Sequence, residues 1–151
     1  MSSFEGYHPL LTPSFRFDWL TRFKLKNVAT LTNRDLAETA DWINNTMRST
    51  MKESTLTWGI ERRRTHKLVG WGGFFTLDLP AHTGHAGLEG KRLPINEQQE
   101  IVDRLVNFGR DELQLTELTL TPSVNLDETV LAAAGFTANT ADADWTWCLH
   151  R

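Results

Sequence analysis

Three side chains near the middle of the chain, His82, His85 and Glu89, are of types that can take up or release a proton. An imidazole titrates near neutrality, which makes either histidine a suitable proton acceptor at physiological pH. His82-x-x-His85, together with Cys148 and His150, also has the composition of a metal set. On a strand, residues three apart face opposite sides, so these two histidines could not share an ion without a turn, and no metal is expected. Cys148 lies in an alternating stretch and reads as a small buried or half-buried side chain. Arg62-Arg63-Arg64-Thr65-His66-Lys67 could meet phosphates, although a solvated hairpin tip explains the same run. Trp42 falls off the apolar stripe of its helix, where it could serve a substrate cleft or a partner face.

The elements that must position these groups belong to one domain, 1–151. The chain has 151 residues, 40% hydrophobic and 23% charged, with fifteen aromatics, as a folded soluble domain requires. A single cysteine excludes an internal disulfide framework and a multi-cysteine zinc site. No apolar run approaches the roughly 20 residues that span a bilayer, and no basic-then-apolar leader is visible. A cytoplasmic protein without membrane contact is expected. The net charge of −3 divides unevenly, with +4 up to Lys67 and −7 from Leu68 onward. The acidic second half argues against nucleic acid as a partner.

Hydrophobic periodicity places the elements. Phe15 to Leu20 alternates as a half-exposed strand, and Lys24 to Val28 is a second, weaker strand candidate. Thr32 or Asn33 is expected to cap a helix with Leu36, Ala40, Ile43 and Met47 on one face. Leu56–Glu61 and Leu68–Leu77 read as a hairpin, with Gly70, Gly72 and Gly73 marking a bulge or a close backbone approach. A strand over His82–Glu89 follows the break at Pro80. Asn96 with Gln99 resembles a capping box for a helix whose inner face is Ile101, Val102, Leu105, Val106, Phe108 and Leu113. A strand over Leu115–Thr121 ends at Pro122, a helix over Leu126–Ala134 ends at Gly135, and Asp144–His150 alternates as a last strand. The strand–helix–strand step from His85 to Thr121 implies a parallel pair with a right-handed crossover. The fold class is therefore α/β, a central mixed sheet with helices packed on it.

Between Leu56 and Phe136 this order resembles the GCN5-related N-acetyltransferase superfamily, particularly its ribosomal-protein acetyltransferase-like branch. The residues that carry the resemblance are Trp58-Gly59-Ile60-Glu61 with Lys67 to Phe74, the helix running into strand at Arg110 to Leu118, and Thr121 to Asn125 with Ala134-Gly135-Phe136. It implies an acyl-CoA N-acyltransferase fold with helices on both faces of the sheet. It also implies acetyl-CoA as co-substrate and transfer of an acetyl group to a primary amine of a protein or small molecule, by direct attack. Under the resemblance His85, His82 or Glu89 is the general base. Backbone amides from Gly84 to Leu88 polarise the thioester carbonyl. The segment after it, Lys91, Arg92, Leu93, Ile95, Asn96 and Glu97, holds the pyrophosphate, and Asn125 matches the asparagine of the family's next block.

The sequence departs from the family at three points. The glycines of the pyrophosphate loop fall near Pro94 and Asn96, and proline offers no N–H. The tyrosine that often protonates the departing thiolate is missing after the Gly-Phe block, the sole tyrosine being Tyr7. Asn125 also lies one residue closer to Gly135 than the pattern has it. Weak acetyl-CoA binding is the expectation, with Lys91 and Arg92 carrying more of it. The alternative is a catalytically impaired member kept as a binding or oligomerisation module; exposed tryptophans would suit a homodimer.

Overall fold

The structure, a computed structural model, describes residues 9–139 and 143–148. Its centre is an antiparallel hairpin. β3 (Leu56–Arg62) and β4 (Lys67–Asp78) pair from Leu56↔Phe74 to Arg62↔Lys67, with Arg63 to His66 as the turn. Alternation sends Leu56, Trp58 and Ile60 into the core, all at most 1% exposed. β2 (Phe15–Trp19) adds antiparallel to β3, and β1 (Leu10–Leu11) adds to β2. Phe15 and Phe17 bury one face of β2; on the other Arg16 stays part-exposed as the alternation suggests, although Asp18 is only 7% exposed.

Beyond β4 lies β5 (Thr83–Gly90), antiparallel to it, then β6 (Glu117–Leu120), parallel to β5 as the crossover implies. β8 (Trp145–Cys148) and β7 (Thr137–Ala138) complete an eight-stranded mixed sheet in the order β1-β2-β3-β4-β5-β6-β8-β7. The expected end of the last strand, Leu149 and His150, lies outside the described residues. Cys148 is exposed, contrary to expectation, because β8 offers it to solvent at the sheet's end.

Helices cover both faces. α3 (Ile95–Asp111) buries Ile101, Val102, Leu105, Val106 and Phe108 against the sheet, and α4 (Glu128–Ala133) packs Val130 and Leu131 on the same side. Gly135 ends α4 at φ +96°, the left-handed position expected of it. α1 (Leu25–Thr32) and α2 (Leu36–Met51) form the second layer with Leu20, Val28, Ile43, Phe23, Trp42, Leu68 and Trp71. The strand expected over Lys24–Val28 is thus a helix; its two buried residues, Val28 and Ala29, face the sheet. Asn33 closes α1 at φ 57°, and Asp35 caps α2 by accepting from the Glu38 N–H at 2.8 Å. The α2 stripe is correspondingly rotated: Leu36 is 54% exposed, while Thr39, Ile43 and Thr50 are buried.

β4 carries two extra residues relative to its partners. Val69 is unpaired against Ile60/Glu61, and Phe75 is unpaired between Ala86 and His85. The second bulge lays the Phe75 ring over Gly87, where a Cβ would stand 2.4 Å from the ring. Gly70 meets β5 with similar closeness: a Cβ there would be 2.5 Å from the Glu89 carbonyl oxygen. The close approach expected of this glycine run is therefore real. No helix among the described residues is long and apolar enough to cross a membrane.

Candidate functional site

β5 and β6 pair over three residues only, Thr83↔Glu117, Gly84↔Leu118 and His85↔Thr119, although β5 continues to Gly90. The two strands therefore fork. The carbonyl of His82 accepts from Thr116 and Glu117 (2.8 and 3.3 Å), so even-numbered residues of β5 turn their backbone groups toward β6. Ala86 N–H closes the last rung at Thr119. Leu88 is then the first β5 residue whose N–H and C=O face the gap without a strand partner among the described residues. Its side chain, 3% exposed, anchors that peptide in the core.

The fork opens toward the start of α3. Pro94 is the N-cap, at φ −55° and ψ 153°, and no side chain caps the helix. The capping box expected from Asn96 and Gln99 does not form, because the helix already begins at Ile95 and Asn96 lies inside its first turn. Gln99 instead donates to Asp103 at 2.9 Å. The Glu97 and Gln98 amides bond the Pro94 carbonyl, both at 3.0 Å. The amides of Ile95 and Asn96 precede any intrahelical acceptor and remain open at the positive end of the helix dipole. Lys91 and Arg92 are exposed beside them, whereas the Lys91 N–H is taken by the Val69 carbonyl at 3.0 Å. Leu93 points its side chain into the core at 7% exposure. Asn125 is 6% exposed in the turn between β6 and α4, on the same side of the fork.

The three proton-transfer candidates are not brought together. His82 sits in the β4–β5 turn at φ 61°, its Nδ1 3.1 Å from the Gln114 carbonyl oxygen, before the strand it was expected to open. β5 separates it from Gly90 by the length of a strand, about 25 Å. His85 lies at the root of the fork, half-buried, with Nδ1 2.7 Å from Thr119 Oγ1. Glu89 is exposed in the free arm of β5, opposite Trp71. His85, Gly87 and Glu89 share the face of β5 that looks away from α3, toward the α1–α2 layer.

No protein-family model matches the chain, and no curated protein matches it. Solved structures do. A ribosomal-protein-serine acetyltransferase from Vibrio cholerae superposes with a TM-score of 0.80 at 12% identity, over 99% of this chain and 100% of that one. The microcin C7 self-immunity acetyltransferase, solved with acetyl-CoA and AMP, gives 0.74 at 12% identity over 91% and 94%. A ribosomal L7/L12 alpha-N-protein acetyltransferase in complex with coenzyme A gives 0.75 at 7% identity over 94% and 98%. The fold is that of the GCN5-related N-acetyltransferases. The likeness in fold reaches beyond the first long helix and the stretch from Leu56 to Phe136 that carry the resemblance in sequence.

Within this N-acetyltransferase fold, two contacts that hold the fork's mouth were not visible in the sequence. Gln98, 1% exposed, donates to the Leu93 carbonyl at 2.8 Å and accepts from the Asp127 N–H at 2.9 Å, tying the loop before α3 to the cap of α4. Arg62, at the end of β3, grips both carboxylate oxygens of Glu97, one nitrogen at 2.8 Å. The Arg62 guanidinium thereby matches the charge of Glu97. The Arg62 hydrogen bonds hold the Glu97 carboxyl below its ordinary value of 4.5, against a smaller upward push from burial. A carboxyl held low in the folded state stabilises it above the unfolded-state value and ceases to as pH falls through the folded-state value. Glu97→Gln is therefore expected to cost about 1–2 kcal/mol at pH 7, and thermal melts of variant and parent should converge as acid takes the pH through the folded-state value. A gap that persists there would show that the ion pair is not its source.

Proposed function

We propose that this chain is an acetyl-CoA-dependent N-acetyltransferase acting on a primary amine. The fork carries the reading: a β5 strand with a free, core-anchored amide at Leu88 beside a helix N-terminus with two open amides. The likeness in fold to acetyltransferases, two of them solved with acetyl-CoA or coenzyme A, supports it. Acetyl-CoA supplies an activated acyl group as substrate. The Leu88 N–H is placed to donate to the acyl carbonyl oxygen, where negative charge develops as an amine attacks. The Ile95 and Asn96 amides, with Lys91 and Arg92, suit a pyrophosphate, and Asn125 borders the same mouth. His85 removes the proton from the attacking amine, with Glu89 the second candidate. Because acetyl-CoA is an intracellular thioester, a cytoplasmic location follows from this reading.

A second reading, a binding module of the same fold, is favoured by Pro94. It stands where the pyrophosphate loop ordinarily offers an N–H, and the connection from β5 to α3 is only Lys91 to Pro94. Calorimetric titration with acetyl-CoA separates the two. Arg92→Ala is expected to weaken binding by up to tenfold and to reduce its salt dependence, whereas Pro94→Gly, which restores an N–H, is expected to strengthen it. If the parent and both variants fail to bind acetyl-CoA, the module reading prevails.

A further inference from the structure

A cleft of about 340 Å³ lies between α2 and the sheet, lined by Trp42, Asn45, Thr46 and Ser49 from the helix, Thr55 and Thr57 from the β3 side, and Trp71 and Phe75 from β4. Its size is that of a small-molecule site. Trp42 and Trp71 meet edge to face with centroids 5.6 Å apart, and the Arg34 guanidinium lies 4.8 Å from the Trp42 ring. The aromatic wall is therefore held in place before anything binds. Among the described residues, no charged side chain lines the cleft. Thr55 Oγ1, in its wall, is buried and has no hydrogen-bond partner among the described residues. Such a hydroxyl costs free energy unless something enters to bond it.

The cleft adjoins the fork. Its Phe75 ring rests on Gly87, and its Trp71 is the cross-strand partner of Glu89. A molecule seated in it can therefore extend toward the face of β5 that carries His85, Gly87 and Glu89. We propose that this cleft seats the body of the acceptor, and that the acceptor is a primary amine borne on a small uncharged aromatic ring; the proposal rests on the acetyl-transfer reading. The amine extends from the cleft toward β5, where Glu89 and His85 meet its charge. The ring packs against Trp42, Trp71 and Phe75 and leaves Thr55 available to a polar substituent or an ordered water. A polyamine does not suit the site, because a second ammonium would enter a cleft without a carboxylate. An acidic body would likewise find no cation in the lining.

The test uses the full chain and 2-phenylethylamine as probe, with spermidine and AMP as competitors and acetyl-CoA titrated separately. Calorimetry should show 2-phenylethylamine binding at least tenfold more tightly than spermidine or AMP. Asn45→Lys, which brings a cation to the exposed edge of the cleft, should weaken that binding at least tenfold. Thr55→Val should weaken it severalfold while the unliganded protein melts no lower than the parent. A hydroxyl with a merely structural role would not separate melting from binding in this way. Tighter binding of spermidine or AMP, no binding of 2-phenylethylamine, or binding indifferent to both substitutions would overturn the proposal. If acetyl-CoA does not bind but 2-phenylethylamine does, with both variants impaired, the transfer reading fails and the specificity of the cleft stands.

Discussion

Replacing His85 by alanine is expected to lower turnover by about two to four orders of magnitude while the protein stays folded. The imidazole is half-buried at the root of the fork, on the face of β5 that an acceptor amine would approach. Thr119 Oγ1 engages Nδ1 at 2.7 Å, which fixes the ring and leaves Nε2 for the incoming proton. Little structure depends on the ring, since Thr119 keeps the Gly84 carbonyl within 3.5 Å and the β5–β6 ladder is backbone. Thr119→Val tests the positioning role. It should lower kcat by less than His85→Ala does and leave KM nearly unchanged, because the ring loses the partner that sets its proton-bearing nitrogen. The rival base, Glu89, is exposed and four residues along the strand, about 13 Å away. Glu89→Gln should therefore cost less than tenfold if His85 takes the proton. Undiminished turnover in His85→Ala with a hundredfold fall in Glu89→Gln would assign the proton to the carboxylate.

What could be read from the sequence was whatever is local. The alternation Leu56-Trp58-Ile60, the inner face of α3 and the glycine after α4 each record a single element's period or cap, and each appears in the fold as expected. α1 is not legible as a helix because Leu25 to Thr32 buries only Val28 and Ala29, too little apolar spacing to display a helical period. The start of α3 is obscured for a different reason. Asn96 and Gln99 fit a capping box by type, but Pro94, pre-set at φ −55° and tolerated at a helix start, begins the helix earlier. The site was less legible still. The fork exists because β6 is only four residues long and leaves β5 after Thr119, an event of tertiary packing. Arg62 and Glu97 stand 35 residues apart, and nothing in either segment names the other. Trp42 could be singled out as lying off its stripe, but its partner Trp71 comes from a strand that only the fold brings beneath α2.

The largest loss of stability from a single added methyl group is expected at Gly73. This residue sits in the middle of β4 at φ +146°, a conformation that L-residues rarely adopt. A Cβ there would stand 2.0 Å from the Leu56 carbonyl oxygen and 3.2 Å from the Trp58 ring. Neither can yield. Leu56 and Trp58 are 0% and 1% exposed, Leu56 pairs with Phe74 in the ladder, and the Trp58 ring lies edge-on to Phe74 and Phe108 at 6.2 and 5.2 Å. Backbone strain of about 1–3 kcal/mol adds to an overpacking cost of similar size, so Gly73→Ala should lose roughly 3–5 kcal/mol. For a domain of this length that is a fall in Tm of about 10–15 °C. Gly135→Ala supplies the contrast, because it too has positive φ, at +96°, but its Cβ would meet only the Trp147 ring at 3.3 Å. Its cost should be nearer 1 kcal/mol. The distortion at Gly73 also reaches the site, since Gly73 pairs with Gly87, on which the Phe75 ring rests. Gly73→Ala should accordingly weaken ligand binding in the α2 cleft even below its own melting temperature. Urea unfolding of the two variants beside the parent measures the stabilities, and a Gly73→Ala protein within 1 kcal/mol of the parent would refute the tight β3–β4 register on which the expectation rests.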